Sequence, residues 1–420
     1  MLFRSESSAI LQSFVDAGYA VVPFGESADV VVINTCTVTE QANSEGRQVI
    51  RAAVRTSPGA TIAVTGCYAQ LQPHEVGSID GVSVVAGSAA KANLRTLVEA
   101  SRGSTSTLID VDPTHDNMEY QPARYDADGR TRAFLKIQDG CDYVCTFCTI
   151  PLARGGSRSM EFPDVLRQLS AFHRAGFSEI VITGVNIGEY RSSSGERLWH
   201  VLLAAAEVAP SCRIRLGSIE PNTVRQELLD AVSQSPNICR HFHIPLQSGS
   251  KSVLHSMRRR YSPESYASVV RSLHNLFPLV GLGIDVITGY PGESHGYFEE
   301  TVEFLKSLPW SYLHVFTYSE RANTPAASMP NSVPVHVRRS RTARLRALAA
   351  ERRHSHALAH IGTTATVIPE SYDTDKGHWQ GWSDTYQAVR FAAPATHERR
   401  PTLVACDSVI DDAVVVALRC

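Results

Sequence analysis

Three cysteines fall close together in the run Gly140-Cys141-Asp142-Tyr143-Val144-Cys145-Thr146-Phe147-Cys148. Thiolates at C-x3-C-x2-C spacing can bind three corners of a cubane iron–sulfur cluster, which leaves the fourth iron without a protein ligand. Zinc is the competing occupant. A closed structural zinc site takes four ligands, however, and no fourth cysteine or histidine lies nearby in the sequence. Two further cysteines, Cys36 and Cys67, each end a short β-branched run, Val30–Ile33 with Asn34-Thr35 and Thr61–Val64 with Thr65-Gly66. Cys212, Cys239, Cys406 and Cys420 lack close partners and read as small buried hydrophobes.

The elements that must position these thiols follow from the hydrophobic pattern. Residues 1–102 alternate strand and helix signals. Ala20–Val22, Val30–Ile33, Thr61–Val64 and Gly81–Val85 are apolar runs, and a polar helix extends through about Arg55. Continuous β-branched runs between helices indicate a doubly wound parallel sheet, α/β in class, with ligands expected past the C-terminal strand ends. Residues 103–130 are polar, rich in Asp, Pro and Gly, and read as a linker.

From 131 to 360 the alternation resumes, with strands expected at Phe134–Ile137, Ile180–Thr183, Arg213–Leu216, His241–Leu246, Ile284–Ile287 and Leu313–Tyr318. Pro163, the face Val165-Leu166-Leu169-Phe172 and the stop at Gly176 mark one intervening helix. Six such units predict a partial (β/α)6 barrel with its chemistry at the C-terminal strand ends. An arginine-rich stretch over 335–360 reads either as a solvated helix or as a contact to RNA phosphates. Residues 361–420 hold short strands separated by turns, as in a small β-barrel.

Motifs at or just after these strand ends resemble the radical S-adenosylmethionine (SAM) methylthiotransferase family, and the resemblance covers nearly the whole chain. They include Leu135–Cys141, Cys148–Gly155, Ile182–Gly184, Ser218–Pro221, His243–Ser250, Asp285–Glu293 and Tyr318–Ala327. The resemblance implies that Cys141, Cys145 and Cys148 hold a 4Fe–4S cluster whose open iron chelates SAM, with Gly184, Glu220, Gln247 and Gly289 as SAM contacts. It also implies a second 4Fe–4S cluster in the first domain, with Cys36 and Cys67 matching the second and third of its three cysteine ligands. The sequence departs from the family at the first ligand. The segment Glu6–Ile10 resembles the family's first helix, so the missing cysteine would fall at or just before Met1, through either an internal start or a defective auxiliary cluster.

Family members insert sulfur and then a methyl group at an unactivated C–H bond, using one SAM for the radical and another for the methyl. Three features resemble the branch acting on N6-threonylcarbamoyladenosine next to the tRNA anticodon: Ile33–Thr39, Gly46–Arg51 and Thr146–Pro151. The alternatives are isopentenyladenosine in tRNA, a ribosomal-protein aspartate, or an RNA-binding relative with impaired turnover. The terminal barrel resembles the TRAM module, in which Trp379, Trp382 and Tyr386 would stack on bases or pack in the core. Arg258, Arg259 and Arg260 are candidate RNA contacts. An electron donor such as flavodoxin or ferredoxin and a sulfur donor are implied partners.

Composition agrees with a multidomain enzyme. A formal charge of −2 argues against coating nucleic acid by bulk charge. No apolar run approaches the roughly 18 residues of a membrane span, and the first residues lack signal-peptide order. A cytosolic protein is therefore expected, in which nine cysteines point to metal or redox chemistry rather than disulfides.

Overall fold

A computed structural model describes residues 2–37, 39–112, 131–411 and 414–419. Its residues divide into two compact units. The first is assembled from residues up to 112 together with 138–159 and 319–328, and the second from 131–137, 160–318 and 329 onward. These units do not follow the order of the chain, because the cysteine loop joins the N-terminal residues.

In the first unit, α1 (Leu2–Val15) precedes β1 (Val30–Thr35), α2 (Glu40–Thr56), β2 (Thr61–Gly66), α3 (Cys67–Leu71), α4 (Pro73–Gly77), β3 (Val82–Ala86), α5 (Leu94–Ser101) and β4 (Leu108–Asp110). The four strands pair in parallel in the order β1-β2-β3-β4. Alternate strand residues supply opposite faces. Ile33, Ile62, Val64 and Val85 pack with Ile50, Tyr68 and Val76 on one side. Ala63, Val84 and Ala86 pack with Ile10, Phe14, Leu94 and Val98 on the other. Thr39 caps α2, its Oγ1 accepting from the Ala42 N–H at 3.1 Å.

Two expectations need correction here. Ala20–Val22 forms no strand, since nothing pairs with its backbone among the described residues. Leu108–Asp110, inside the stretch read as a linker, is instead the edge strand β4. Its three residues are too few to show a period. The linker residues 113–130 lie outside the described part.

The second unit begins with β5 (Arg132–Lys136). Between it and the next unit-two element lie the first-unit pieces β6 (Gln138–Asp139), α6 (Ile150–Arg154) and β7 (Arg158–Ser159). Then come α7 (Phe162–Arg174), β8 (Glu179–Thr183), α8 (Leu198–Val208), β9 (Arg213–Leu216), α9 (Gln226–Gln234), β10 (His241–His243), α10 (Lys251–Ser256), α11 (Pro263–Leu276), β11 (Gly281–Thr288), α12 (His295–Lys306), β12 (Tyr312–Thr317) and α13 (Val335–Leu358). Strands β5-β8-β9 and β10-β11-β12 form two parallel triplets. Bridges Ile214↔Ile238 and Ser218↔His243 join them, giving the expected six-stranded partial barrel. The predicted strand His241–Leu246 pairs regularly with β11 over His241–His243, and its backbone stays bonded to β11 beyond that, the Ile244 and Leu246 N–H groups donating to the Gly283 and Asp285 carbonyls at 2.8 and 3.1 Å.

A closed five-stranded barrel follows, β13 (Thr364–Asp373), β14 (His378–Ser383), β15 (Ala388–Ala392), β16 (Thr402–Ile410) and β17 (Val414–Arg419), in the order β13-β14-β15-β17-β16. It is tied to the parallel strands by a buried charge cage. Glu179 is fully buried and accepts from Arg213 Nε at 2.5 Å and Arg215 Nη2 at 3.0 Å, with Arg132 Nε an ion-pair partner at 2.9 Å. The same two arginines of β9 donate to the carbonyls of Thr366, Trp382 and Ser383 in the small barrel. Burial alone would raise the Glu179 pKa, but the three guanidinium charges outweigh it and hold the carboxyl well below its usual range.

Histidines give this unit a pH dependence. His356 on α13 is pushed down to about 3 by burial and by His360 and His274. Burial likewise lowers His360, and burial together with Arg215 lowers His241. The unfolded chain therefore binds more protons than the folded one below about pH 6.5, and stability falls as the pH drops from there toward the folded values. His356 alone accounts for a loss of about 2 kcal/mol at about pH 5. Urea unfolding followed from pH 7.5 to pH 5 is expected to show a falling midpoint, and a flat profile would contradict the neutral buried histidines.

Candidate active site

Cys36 and Cys67 stand just past the C-terminal ends of β1 and β2, neighbours in the first sheet. Thr35 and Gly66 are register partners at the ends of β1 and β2, so the two cysteines leave the sheet side by side. Gly66 makes this possible. Its φ is +100°, and a Cβ there would collide with the Thr35 carbonyl oxygen. Cys67 is buried and opens α3, whereas Cys36 is half-buried. Gly66→Ala is expected to cost about 1–3 kcal/mol through forced strain and to lower iron binding at these strand ends while SAM cleavage persists. Urea unfolding and iron analysis of the reconstituted protein check both.

The loop carrying Cys141, Cys145 and Cys148 is pinned at its base by the antiparallel pair β6–β7. Gln138 Nε2 donates to the Gly140 carbonyl at 2.8 Å and to Ser157 Oγ at 2.9 Å. Asp142 Oδ1 accepts from the Ser157 N–H at 2.8 Å. Backbone N–H groups point at two of the sulfurs, from Tyr143 to Cys141 Sγ and from Ile150 to Cys148 Sγ, each at 3.4 Å. Such donors stabilise thiolates that ligate metal. The donor set and its N–H partners thus fit three corners of a cubane cluster.

The two cysteine groups share a scaffold. Helix α3, which begins at Cys67, packs against α6, which begins just after Cys148. Arg154 at the end of α6 is almost completely buried. Its Nη1 donates to Glu6 Oε1 at 2.6 Å and to Asp139 Oδ1 at 3.0 Å, and Lys91 Nζ reaches Glu6 Oε2 at 2.6 Å. Burial disfavours this guanidinium, but the charges of Glu6, Asp139 and Cys67 more than compensate and raise its pKa well above the ordinary value. Ser88 Oγ also donates to the Ala153 carbonyl at 2.8 Å. On the other side Arg321 donates to Thr37 Oγ1 at 2.5 Å and to Glu40 Oε2 at 3.1 Å. A cavity of about 320 Å³ is lined by Gln72, Thr149, Leu152, Arg321 and Asn323.

The predicted SAM contacts lie together in the second unit. Gly184 directly follows β8, Glu220 follows β9, Gln247 follows β10 and Gly289 directly follows β11, all at the C-terminal ends of parallel strands. Gln247 has φ +70° and pairs with β11, its N–H donating to the Asp285 carbonyl at 2.8 Å.

The predicted RNA contacts divide. Arg258 and Arg260 are exposed. Arg259 is held in an ion pair with Glu220 and a hydrogen bond to Tyr261, its side chain 3% exposed. It is therefore a partner of Glu220 rather than a phosphate contact. Of the three aromatic candidates, Trp379 belongs to the core of the small barrel and donates to the Pro394 carbonyl. Trp382 and Tyr386 stack on each other at 4.6 Å, and Tyr386 lies 4.7 Å from His241. In the arginine-rich helix α13, Arg338 and Arg341 are buried against the Tyr318 carbonyl and Glu293, which removes them from the solvated face.

Sequence reasoning missed Glu6, Lys91, Asp139, Arg154 and Arg321 as site residues. Glu6, Asp139, Arg154 and Arg321 lie inside motifs already noted and Lys91 in none, but the pairing of Glu6 with Arg154 and of Arg321 with Thr37 spans too much of the chain to leave a local signal.

The Radical SAM superfamily is matched over residues 135–305, and the family described as "Uncharacterized protein family UPF0004" over residues 3–87. The threonylcarbamoyladenosine tRNA methylthiotransferase MtaB of Bacillus subtilis is 38% identical over 92% of this chain and 87% of its own length. The protein of the same name from Aquifex aeolicus is 36% identical over 87% of this chain and 90% of its own length. The tRNA-2-methylthio-N(6)-dimethylallyladenosine synthase of Chlorobium luteolum is 31% identical over 92% and 88%. Among solved structures, the radical SAM methyltransferase TsrM from Kitasatospora setae superposes with a TM-score of 0.57 at 16% identity, covering 77% of this chain and 73% of that one. That likeness concerns the fold. Identity above 30% along most of both partners, together with a C-x3-C-x2-C loop leading from the first strand of a partial barrel, shows that the chain belongs to the methylthiotransferase family of radical SAM enzymes.

Proposed function

We propose that the protein is a tRNA methylthiotransferase that converts N6-threonylcarbamoyladenosine next to the anticodon to its 2-methylthio derivative. The observation that carries this reading is the higher identity to the MtaB proteins, 38% against 31% for the dimethylallyladenosine synthase, over similar lengths. In this reading Cys141, Cys145 and Cys148 hold a 4Fe–4S cluster, and Cys36 and Cys67 contribute to a second one. Held there and supplied with SAM, such a cluster would provide the radical chemistry needed at an unactivated C–H bond, which side-chain acids and bases do not reach.

The chain's own groups prepare that chemistry. The N–H donors of Tyr143 and Ile150 stabilise thiolate charge. Arg154 fixes the loop through Asp139 and the first helix through Glu6. Gly184, Glu220, Gln247 and Gly289 line the strand ends where SAM would lie, with Arg259 orienting the Glu220 carboxylate. Arg258 and Arg260, both exposed, are the candidates for contact with RNA phosphates. The C-terminal barrel serves as a TRAM-like docking module. An electron donor and a sulfur donor complete the reaction.

The test is an anaerobic assay on two anticodon stem-loops, one with threonylcarbamoyladenosine and one with isopentenyladenosine, read by nucleoside mass spectrometry. Product from the first alone is expected. Product from the second alone, or only from a ribosomal protein, would overturn the substrate assignment. SAM cleavage without any product would favour an RNA-binding relative with impaired turnover.

A further inference from the structure

Three adjacent strands of the partial barrel converge on a group that the methylthiotransferase reading does not use. His243 ends β10, Asp285 lies midway along β11, and His314 lies opposite it on β12 in direct register. His243 Nε2 is 2.9 Å and His314 Nδ1 is 3.1 Å from the same Asp285 oxygen. One ligand atom from each of the three residues lies within 4.8 Å of the others. We propose that His243, Asp285 and His314 form a binding site for a single divalent first-row metal ion of the zinc class.

Two imidazoles and one carboxylate are the donor set that such ions favour, while magnesium and calcium prefer oxygen alone. A metal about 2.1 Å from each donor needs ligand atoms roughly 3.0–3.4 Å apart. Two of the separations are already near this range, and the third is no more than 4.8 Å. The surroundings fix the ligands as metal sites require. Ser218 Oγ lies 2.6 Å from His243 Nδ1, so a proton held on that nitrogen leaves the Nε2 lone pair free for the ion. The Tyr312 ring lies nearly parallel to His243, 7° off at 6.2 Å, and covers Gly283, where a Cβ would collide with the ring. Tyr312 is held in turn by His241 Nε2 at 2.8 Å.

The site is walled on one side and open on the other. The side chains of His243 and Asp285 are 10% and 18% exposed, whereas that of His314 is 56% exposed. An ion can enter past His314, and three protein ligands leave at least one coordination position for water or a carboxylate oxygen. A hydrogen-bonded relay is the rival explanation, since one carboxylate oxygen can accept from both rings.

The experiment uses the full chain, reconstituted anaerobically so that its cysteines carry iron, then dialysed against Zn²⁺ and analysed for zinc and iron. The parent is expected to retain about one zinc per chain beyond its iron. His314→Ala, a substitution at an exposed ring, and Asp285→Asn are each expected to lose that zinc while iron content stays unchanged. Zinc-edge absorption spectra should show nitrogen and oxygen scatterers only. Equal zinc in parent and His314→Ala, no retained zinc in the parent, or sulfur scatterers at the zinc edge would each overturn the site in favour of the relay.

Discussion

Cys145→Ala protein, reconstituted anaerobically, is expected to hold about four fewer irons than the parent and to lose both SAM cleavage and methylthiolation, at least about 10⁴-fold in rate. Cys145 is the most buried of the three loop cysteines, 8% exposed, within the turn that the Cys148 N–H closes onto the Cys145 carbonyl. Alanine preserves that backbone turn, so the loss would report the ligand rather than the loop. The paired substitution Cys36→Ala/Cys67→Ala provides the contrast. It should also lose iron and product, yet still cleave SAM. Unchanged iron in Cys145→Ala would mean that another residue supplies the ligand, and the assignment of the loop would fail.

Glu179→Ala is expected to destabilise the second unit by about 3–5 kcal/mol, because removing one partner of a buried ion group leaves the others buried without their counter-charge. Arg132, Arg213 and Arg215 would all lose the carboxylate that they surround. For a unit of this size the melting temperature should drop by roughly 6–20 °C. The damage should extend to the small barrel, since Arg213 and Arg215 also carry its backbone carbonyls. Calorimetry of parent, Glu179→Ala and Glu179→Gln would test this. Gln keeps some hydrogen bonds without the charge and should fall between the two. A melting temperature within a degree of the parent for Glu179→Ala would show that the cage contributes little.

How much of this was legible in the sequence depended on whether a signal was local. The C-x3-C-x2-C spacing is a statement about eight neighbouring residues, and the loop lies where it was expected. Cys36 and Cys67 were found because β-branched runs end just before them, and the register of Thr35 with Gly66 brings those ends together. The six strands of the barrel announced themselves in the same way. Strand β14 did not, because His378-Trp379-Gln380-Gly381-Trp382-Ser383 breaks its alternation with a glycine and large aromatics. Its tryptophans drew attention as RNA contacts when one of them is core.

Pairing over long sequence distances was invisible. Glu6 with Arg154, Arg321 with Thr37 and Arg259 with Glu220 are each a basic residue whose partner no periodic pattern points to. The arginines of 335–360 looked alike in sequence. Only packing separates Arg338 and Arg341, which are buried, from Arg339 and Arg353, which are exposed. His243, Asp285 and His314 were noticed only as parts of strand-end motifs, and their common purpose appears when three strands are laid side by side.

The first unit is stitched from three stretches separated in the chain, and this bears on how the protein comes off the ribosome. Cys141, Cys145 and Cys148 emerge well before residues 319–328, which complete the unit and carry Arg321 to Thr37. At roughly 5–20 residues per second, the nascent thiols wait about 10–35 s for that closing segment. On the reading that these thiols hold a cluster, the unit that carries it is complete only once synthesis has passed residue 328, so the yield of loaded protein should depend on how well newly made cysteines are shielded until then.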